Sequence, residues 1–194
     1  AHELTHALQA QHFPGLRVVP EAPGRLEAYE SRHALLEGDA DVVRIGVEAL
    51  HAGRPVRRAI LATLRSPPTE IAVTGAPRDD AEEGMLFPYA QGKRFVAAIY
   101  GAGGFALVDQ VMSSKPPLRT SDILHPDRYL AGPAHRDLAG LNEIGMSPAT
   151  STSQGELGVF LTLTHVDVPR AQAFSLAAGW QGDVLSTTND ARVW

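Results

Sequence analysis

The chain contains no cysteine. Disulfides and thiolate metal sites are therefore excluded, and any metal must be held by histidine and carboxylate, a donor set that suits a catalytic site better than a structural one. Cysteine-free chains occur on both sides of a membrane, so compartment is not constrained. Basic residues are in deficit, with 17 Lys and Arg against 22 Asp and Glu, a formal net charge of −5 and a pI near 5.9. That balance gives no electrostatic case for nucleic acid or an anionic membrane surface as a partner. No run approaches the roughly 18 consecutive apolar residues of a membrane span, and no signal-peptide pattern is present. Strand-like pieces are scarce: Arg17-Val18-Val19, Ile71-Ala72-Val73 and Val184-Leu185-Ser186 are the only ones, so an α+β fold should be predominantly helical. An initiator Met is missing too. With Ala1 first and a possible metal ligand at residue 2, the expectation is a fragment that lacks an upstream strand lining its cleft and is cut at Trp194 as well.

What the chain does have is enough apolar residue, 44% of 194 positions, to bury one core, and a single domain over 1–194 is the default. Periodicity predicts a first helix ending at Phe13-Pro14-Gly15, a long helix from about Arg25 to His51, and a shorter one from Pro55 to Leu64. Asp79-Asp80-Ala81-Glu82-Glu83 reads as an exposed acidic loop, and Phe87 to Ser113 as two helices broken at Gly101-Ala102-Gly103-Gly104. Pro116 to Pro133 reads as loop with a turn at Ser121–Leu124, and Gly155 to His165 and Ala171 to Ala178 as apolar helices.

The chemistry starts at His2-Glu3-Leu4-Thr5-His6, an H-E-x-x-H sequence. Two histidines four apart lie on one helix face, so both imidazoles can hold one tetrahedral metal while Glu3 is placed to act as general base. A catalytic zinc usually takes a third protein ligand. Glu37, in Leu36-Glu37-Gly38-Asp39-Ala40, lies on the long second helix behind a Pro/Gly loop that lets the two helices pack side by side. Asp41, one turn on, could accept the other ring N–H of a ligating histidine. His33 shares that face and could replace Glu37. His12 is the rival: with His2 and His6 it reproduces the histidine spacing of H-E-x-x-H-x-x-G-x-x-H, but Gln9 stands where the glycine belongs. If the helix continues past Gln9, His12 is turned roughly 120° and displaced about 9 Å from His6, out of reach of a shared metal.

The stretch from Ala1 to Phe13, with Leu36–Ala40 after it, resembles a group of bacterial and archaeal proteins of the gluzincin-like peptidase superfamily. Further similarity lies in Leu86-Phe87-Pro88-Tyr89, Ser121-Asp122-Ile123-Leu124-His125-Pro126-Asp127-Arg128-Tyr129, Gly155-Glu156 and Ala177-Ala178-Gly179-Trp180-Gln181-Gly182-Asp183, and so spans nearly the whole chain. Ala10 departs from a commonly acidic position and Gln181 from a glycine. The resemblance implies a zincin-like metallopeptidase fold and proteolysis of a peptide or protein substrate, with zinc held by His2, His6 and Glu37 and with Glu3 as base.

Such a mechanism also needs an oxyanion donor, and a downstream His or Tyr is the usual source. His125 and Tyr129, on a proline-bounded turn, are the candidates, with Tyr89 behind them. Asp39, Glu156 and Asp183 are expected to serve as supporting hydrogen-bonders, and Trp180 to anchor the last helix. The competing class is a binding module that keeps the fold without catalysis, or a fragment inactive as truncated.

Overall fold

A computed structural model describes residues 1–16, 26–65, 80–132, 151–180, 185–187 and 192–193. It is predominantly helical: α1 (His2–His12), α2 (Leu26–His51), α3 (Val56–Leu61), α4 (Asp80–Ser114), α5 (Thr120–Leu124), α6 (Pro126–Ala131), α7 (Gly155–His165) and α8 (Arg170–Ala177). Short 3-10 turns follow α1 at Pro14–Leu16 and α3 at Ala62–Arg65. Three short strands, β1 (Ser151–Thr152), β2 (Leu185–Thr187) and β3 (Arg192–Val193), pair antiparallel in that order. The strand expected around Val184 is thus present from Leu185, while Arg17-Val18-Val19 and Ile71-Ala72-Val73 lie outside the described residues, as do Gln181 and Asp183.

The core is built where α4 lies on α2. Phe87, Phe95, Val96, Ala97 and Ile99 of α4 are buried together with Ala34, Leu35 and Val42 of α2. Two glycines let the backbones touch: a Cβ on Gly38 would meet Gly92 O at 2.2 Å, and one on Gly92 would meet Ala34 O at 2.0 Å. This crossing matters for the site, because it puts Tyr89 and Lys93, one turn apart on α4, beside Glu37 and Asp41, one turn apart on α2.

Helix α4 bears on three expectations. Within its Gly84–Ser114 portion an 18-residue window has a mean hydropathy of 1.5, enough to cross a membrane by length and composition only, and the same stretch supplies core residues packed on α2. Its backbone is already helical at Asp80–Glu83, where a loop was expected, and Pro88 lies inside the helix. The expected break is real but sits at Gly103 and Gly104, the latter at φ +68°, a left-handed conformation that favours glycine. Arg57 Nη2 donates to the Gly101 carbonyl at 3.0 Å beside that break.

The segment expected as loop at Pro116 to Pro133 instead forms α5 and α6. Asp122 reaches back to accept from the Leu118 and Arg119 amides at 3.1 and 3.2 Å, satisfying two donors at the start of α5, and Pro126 opens α6. Helix α5 is buried along its length. The Glu27 carboxylate, in the first turn of α2, accepts from Thr120 N (3.1 Å), Thr120 Oγ1 (2.9 Å) and Ser153 Oγ (2.9 Å). Gly155, at φ +70°, opens α7 against the same carboxylate, where a Cβ would meet Glu27 Oε1 at 2.1 Å. One buried acid therefore ties α2, α5 and the start of α7 together.

Candidate metal centre

Helix α1 turns its Thr5 and Gln9 face toward α2 and buries both. His2 and His6, on the neighbouring edge of that face, meet Glu37 of α2. His2 Nε2 is 3.1 Å from Glu37 Oε2, His6 Nε2 is 3.5 Å from the same oxygen, and the two Nε2 atoms are 3.2 Å apart. Four-coordinate zinc with bonds of about 2.0–2.1 Å has donor-to-donor edges of roughly 3.3–3.4 Å. The triangle is the size of one such face. Among the described residues these three are the only group of His, Asp or Glu side chains close enough to share an ion.

Proton bookkeeping points the same way. His2 Nδ1 faces Asp41 Oδ1 at 3.4 Å, and His6 Nδ1 faces Gln9 Oε1 at 2.8 Å. Gln9 cannot reverse its amide, because its Nε2 donates to Leu36 O at 3.0 Å and Asp39 Oδ2 at 2.8 Å, both acceptors. Each neutral ring then carries its proton on Nδ1 and bares a lone pair at Nε2. Two imidazole lone pairs and a carboxylate oxygen converge on one point, an arrangement that repels itself unless a cation sits there. The residues fit a zinc ion in number, type and spacing.

The surroundings hold the ligands in place. Asp41, expected to support a ligating histidine, does face His2, and is itself held by Arg44 Nε at 3.2 Å and Lys93 Nζ at 3.7 Å. His33 Nε2 lies 3.4 Å from Glu37 Oε1, the oxygen turned away from the other two histidines, so it stands at the edge of the cluster rather than in it. Helix α1 runs unbroken through Gln9 to His12, which is exposed. That continuity removes the His12 alternative, for the missing glycine means the chain never leaves the helix in time. Glu3 is exposed on the same helix.

Tyr89, on α4, interacts with the acidic groups of this cluster. Its pKa is raised above the ordinary phenol value by burial first, then by the negative charges of Glu37, Glu3 and Asp41 and a hydrogen bond to Glu37. Its ring lies 6.4 Å from that of His33. His125 and Tyr129 take other partners. His125 Nε2 is 2.6 Å from Glu156 Oε1, and its ring packs on Phe174. The Tyr129 hydroxyl donates to the Lys115 carbonyl while its ring stacks edge-on against Phe95; burial and the charge of Asp122 push its pKa up to about 12. Glu156 is buried in the first turn of α7, and the hydrogen bond expected of it goes to His125. Gln9 and Tyr89 are thus the residues that sequence undervalued: the first looked like any polar helix residue, and the second needed the Gly38/Gly92 crossing to be placed. Asp39, expected as a hydrogen-bonder, is one, to Gln9; burial raises its pKa, against the hydrogen bond from Gln9.

No protein-family model, no curated protein and no solved structure matches the chain.

Proposed function

We propose that the chain is the catalytic part of a zinc-dependent peptidase, with His2, His6 and Glu37 as ligands and Glu3 as general base. The observation that carries this reading is the convergence of three acceptor atoms, each with its far side engaged, next to an exposed glutamate one residue from the first ligand. A zincin-like fold belongs to the same reading: a motif helix packed on a second helix that brings the carboxylate ligand, with Asp41 one turn on behind His2.

A zinc ion bound there supplies Lewis acidity to the scissile carbonyl and lowers the pKa of an attacking water. Glu3 accepts the proton as the water oxygen adds to the carbonyl carbon, then delivers it to the leaving nitrogen as the C–N bond breaks. The developing oxyanion needs a donor, and in this reading Tyr89 provides it ahead of His125 and Tyr129. A phenol is protonated at neutral pH and hence able to donate, and that of Tyr89 lies among the charges of Glu37, Glu3 and Asp41.

The test is Glu3→Gln, which conserves shape and removes the base. Zinc content, measured by elemental analysis, should stay at one ion per chain, and hydrolysis of a peptide library should fall by about 10³-fold or more. Zinc retention with unchanged hydrolysis rules out Glu3 as the base. Zinc-replete wild type that cleaves nothing points to a binding role for the fold.

A further inference from the structure

Gln9 is almost fully buried at 5% exposure, yet it is a polar residue on a helix whose exposed face offers it water. All three hydrogen-bonding positions that its amide uses lead to the metal centre. Its oxygen accepts from His6 Nδ1 at 2.8 Å; one N–H goes to the carbonyl of Leu36 at 3.0 Å and the other to Asp39 Oδ2 at 2.8 Å. Leu36 precedes Glu37 and Asp39 follows it by two, so this one side chain joins the second ligand to the backbone that carries the third.

We propose that Gln9 is a positioning residue of the metal centre, setting the His6 tautomer and locking α1 against α2 at the ligand triangle; this rests on the zinc reading above. A glutamine suits the task where other side chains do not. The Leu36 carbonyl can only accept, so the amide N–H₂ must face it and Asp39, and the amide oxygen must face His6. That orientation forces the His6 proton onto Nδ1 and leaves Nε2 bare toward Glu37. A glutamate at position 9 would set a second carboxylate against Asp39, and a leucine would satisfy none of the three groups. His2 is held differently, by the carboxylate of Asp41, which is tied to Arg44 and Lys93. The two ring orientations are therefore fixed by independent devices, and losing one leaves the other intact.

The experiment compares wild type, Gln9→Leu and Asp39→Asn in the 194-residue chain by zinc titration with a competing chelator, together with long-range ¹H–¹⁵N correlation of the metal-free protein to read the His6 tautomer. Wild type should show His6 protonated on Nδ1. Gln9→Leu should lose that single tautomer and weaken zinc binding about 10–100-fold, the range found for groups that orient metal-binding histidines. Asp39→Asn, whose amide oxygen can still accept from Gln9, should keep the tautomer and lose less zinc affinity than Gln9→Leu. A merely structural glutamine would change the melting temperature and leave the tautomer alone. Wild-type His6 protonated on Nε2, or wild-type zinc affinity in Gln9→Leu, overturns the positioning role while the zinc reading stands. Failure of the wild type to bind zinc overturns both. Should Gln9→Leu not fold, the wild-type tautomer still decides.

Discussion

Glu37→Gln is the substitution whose two effects run in opposite directions if the ligand triangle is what it looks like. In the metal-free molecule three acceptors face one another at 3.1, 3.2 and 3.5 Å. Replacing the Glu37 oxygen by an N–H₂ group turns one of them into a donor aimed at two bare imidazole nitrogens, a gain of roughly 1 kcal/mol for the hydrogen bond made. For a chain of this size 1 kcal/mol moves the melting temperature by about 2–4 °C. At pH 8, where free imidazole is neutral, the variant without metal should therefore melt a few degrees above wild type. Zinc at a hundred times its dissociation constant should add about 2.7 kcal/mol to wild type, a rise of roughly 5–10 °C, and add little to the variant, which has lost a ligand. Differential scanning calorimetry with chelator and then with graded zinc reads both numbers. A Glu37 engaged in an ordinary ion pair with a protonated histidine predicts the reverse: a lower metal-free melting point and no difference in response to zinc. That result would refute the converging-acceptor argument.

Gly92→Ala should cost about 3 kcal/mol, since its Cβ would meet the Ala34 carbonyl at 2.0 Å and backbone cannot yield as a side chain can; chemical denaturation measures it, and an unchanged midpoint would mean that α2 and α4 do not cross there. His125→Ala leaves the buried Glu156, whose Oε2 has no hydrogen-bond partner, without its pairing on Oε1, so stability should fall by about 3–5 kcal/mol, with partial rescue by Glu156→Gln in the same chain. Loss of turnover in folded His125→Ala, with little loss of stability, would instead return His125 to the oxyanion role. Burial raises the pKa of Glu30 above its ordinary value, so its folded state is favoured below the unfolded pKa near 4.5 and penalised once pH rises through the folded one. Glu30→Gln should accordingly stabilise the chain at pH 7 and lose that advantage below about pH 4, as followed by thermal melts across pH.

Helical periodicity made the two halves of the His2–His6–Glu37 cluster legible. His2 with His6, and Glu37 with Asp41, are each one turn apart, and no tertiary knowledge is needed to put either pair on one face. The helices themselves were readable for the same reason: α7 begins and ends where its apolar run does, and α2 within a residue of the expected start. What could not be read depended on how faces meet. Gln9 acquires meaning only against Leu36 and Asp39, and Tyr89 only because Gly38 and Gly92 bring α4 within backbone contact of α2. The short helices α5 and α6 were missed because proline and serine suggested loop, whereas the deciding element is a single aspartate, Asp122, that closes the first turn through two amides.

Helix α2 carries Glu27, Glu30, Glu37, Asp39 and Asp41 at buried or half-buried positions, where apolar side chains would give more stability. Four of the five have donors or counter-charges that account for them. Glu27 holds the starts of α5 and α7 to the first turn of α2; Glu37 completes the triangle with His2 and His6; Asp41 and Asp39 hold the two histidines, one directly and one through Gln9. The clamp at one end keeps α2 from shifting, and the crossing of Gly38 with Gly92 fixes its height against α4, so that Glu37 meets α1 at ligand distance. Glu30, whose pKa moves through burial alone, is the built-in contrast. If buried acids on α2 were simply tolerated, all five should respond to amide substitution as Glu30 does, with gain and without functional consequence. If they are retained for the roles assigned here, only Glu30→Gln stabilises at no cost to zinc binding, Glu37→Gln stabilises only while abolishing it, and Glu27→Gln unfastens α5 and α7 from α2.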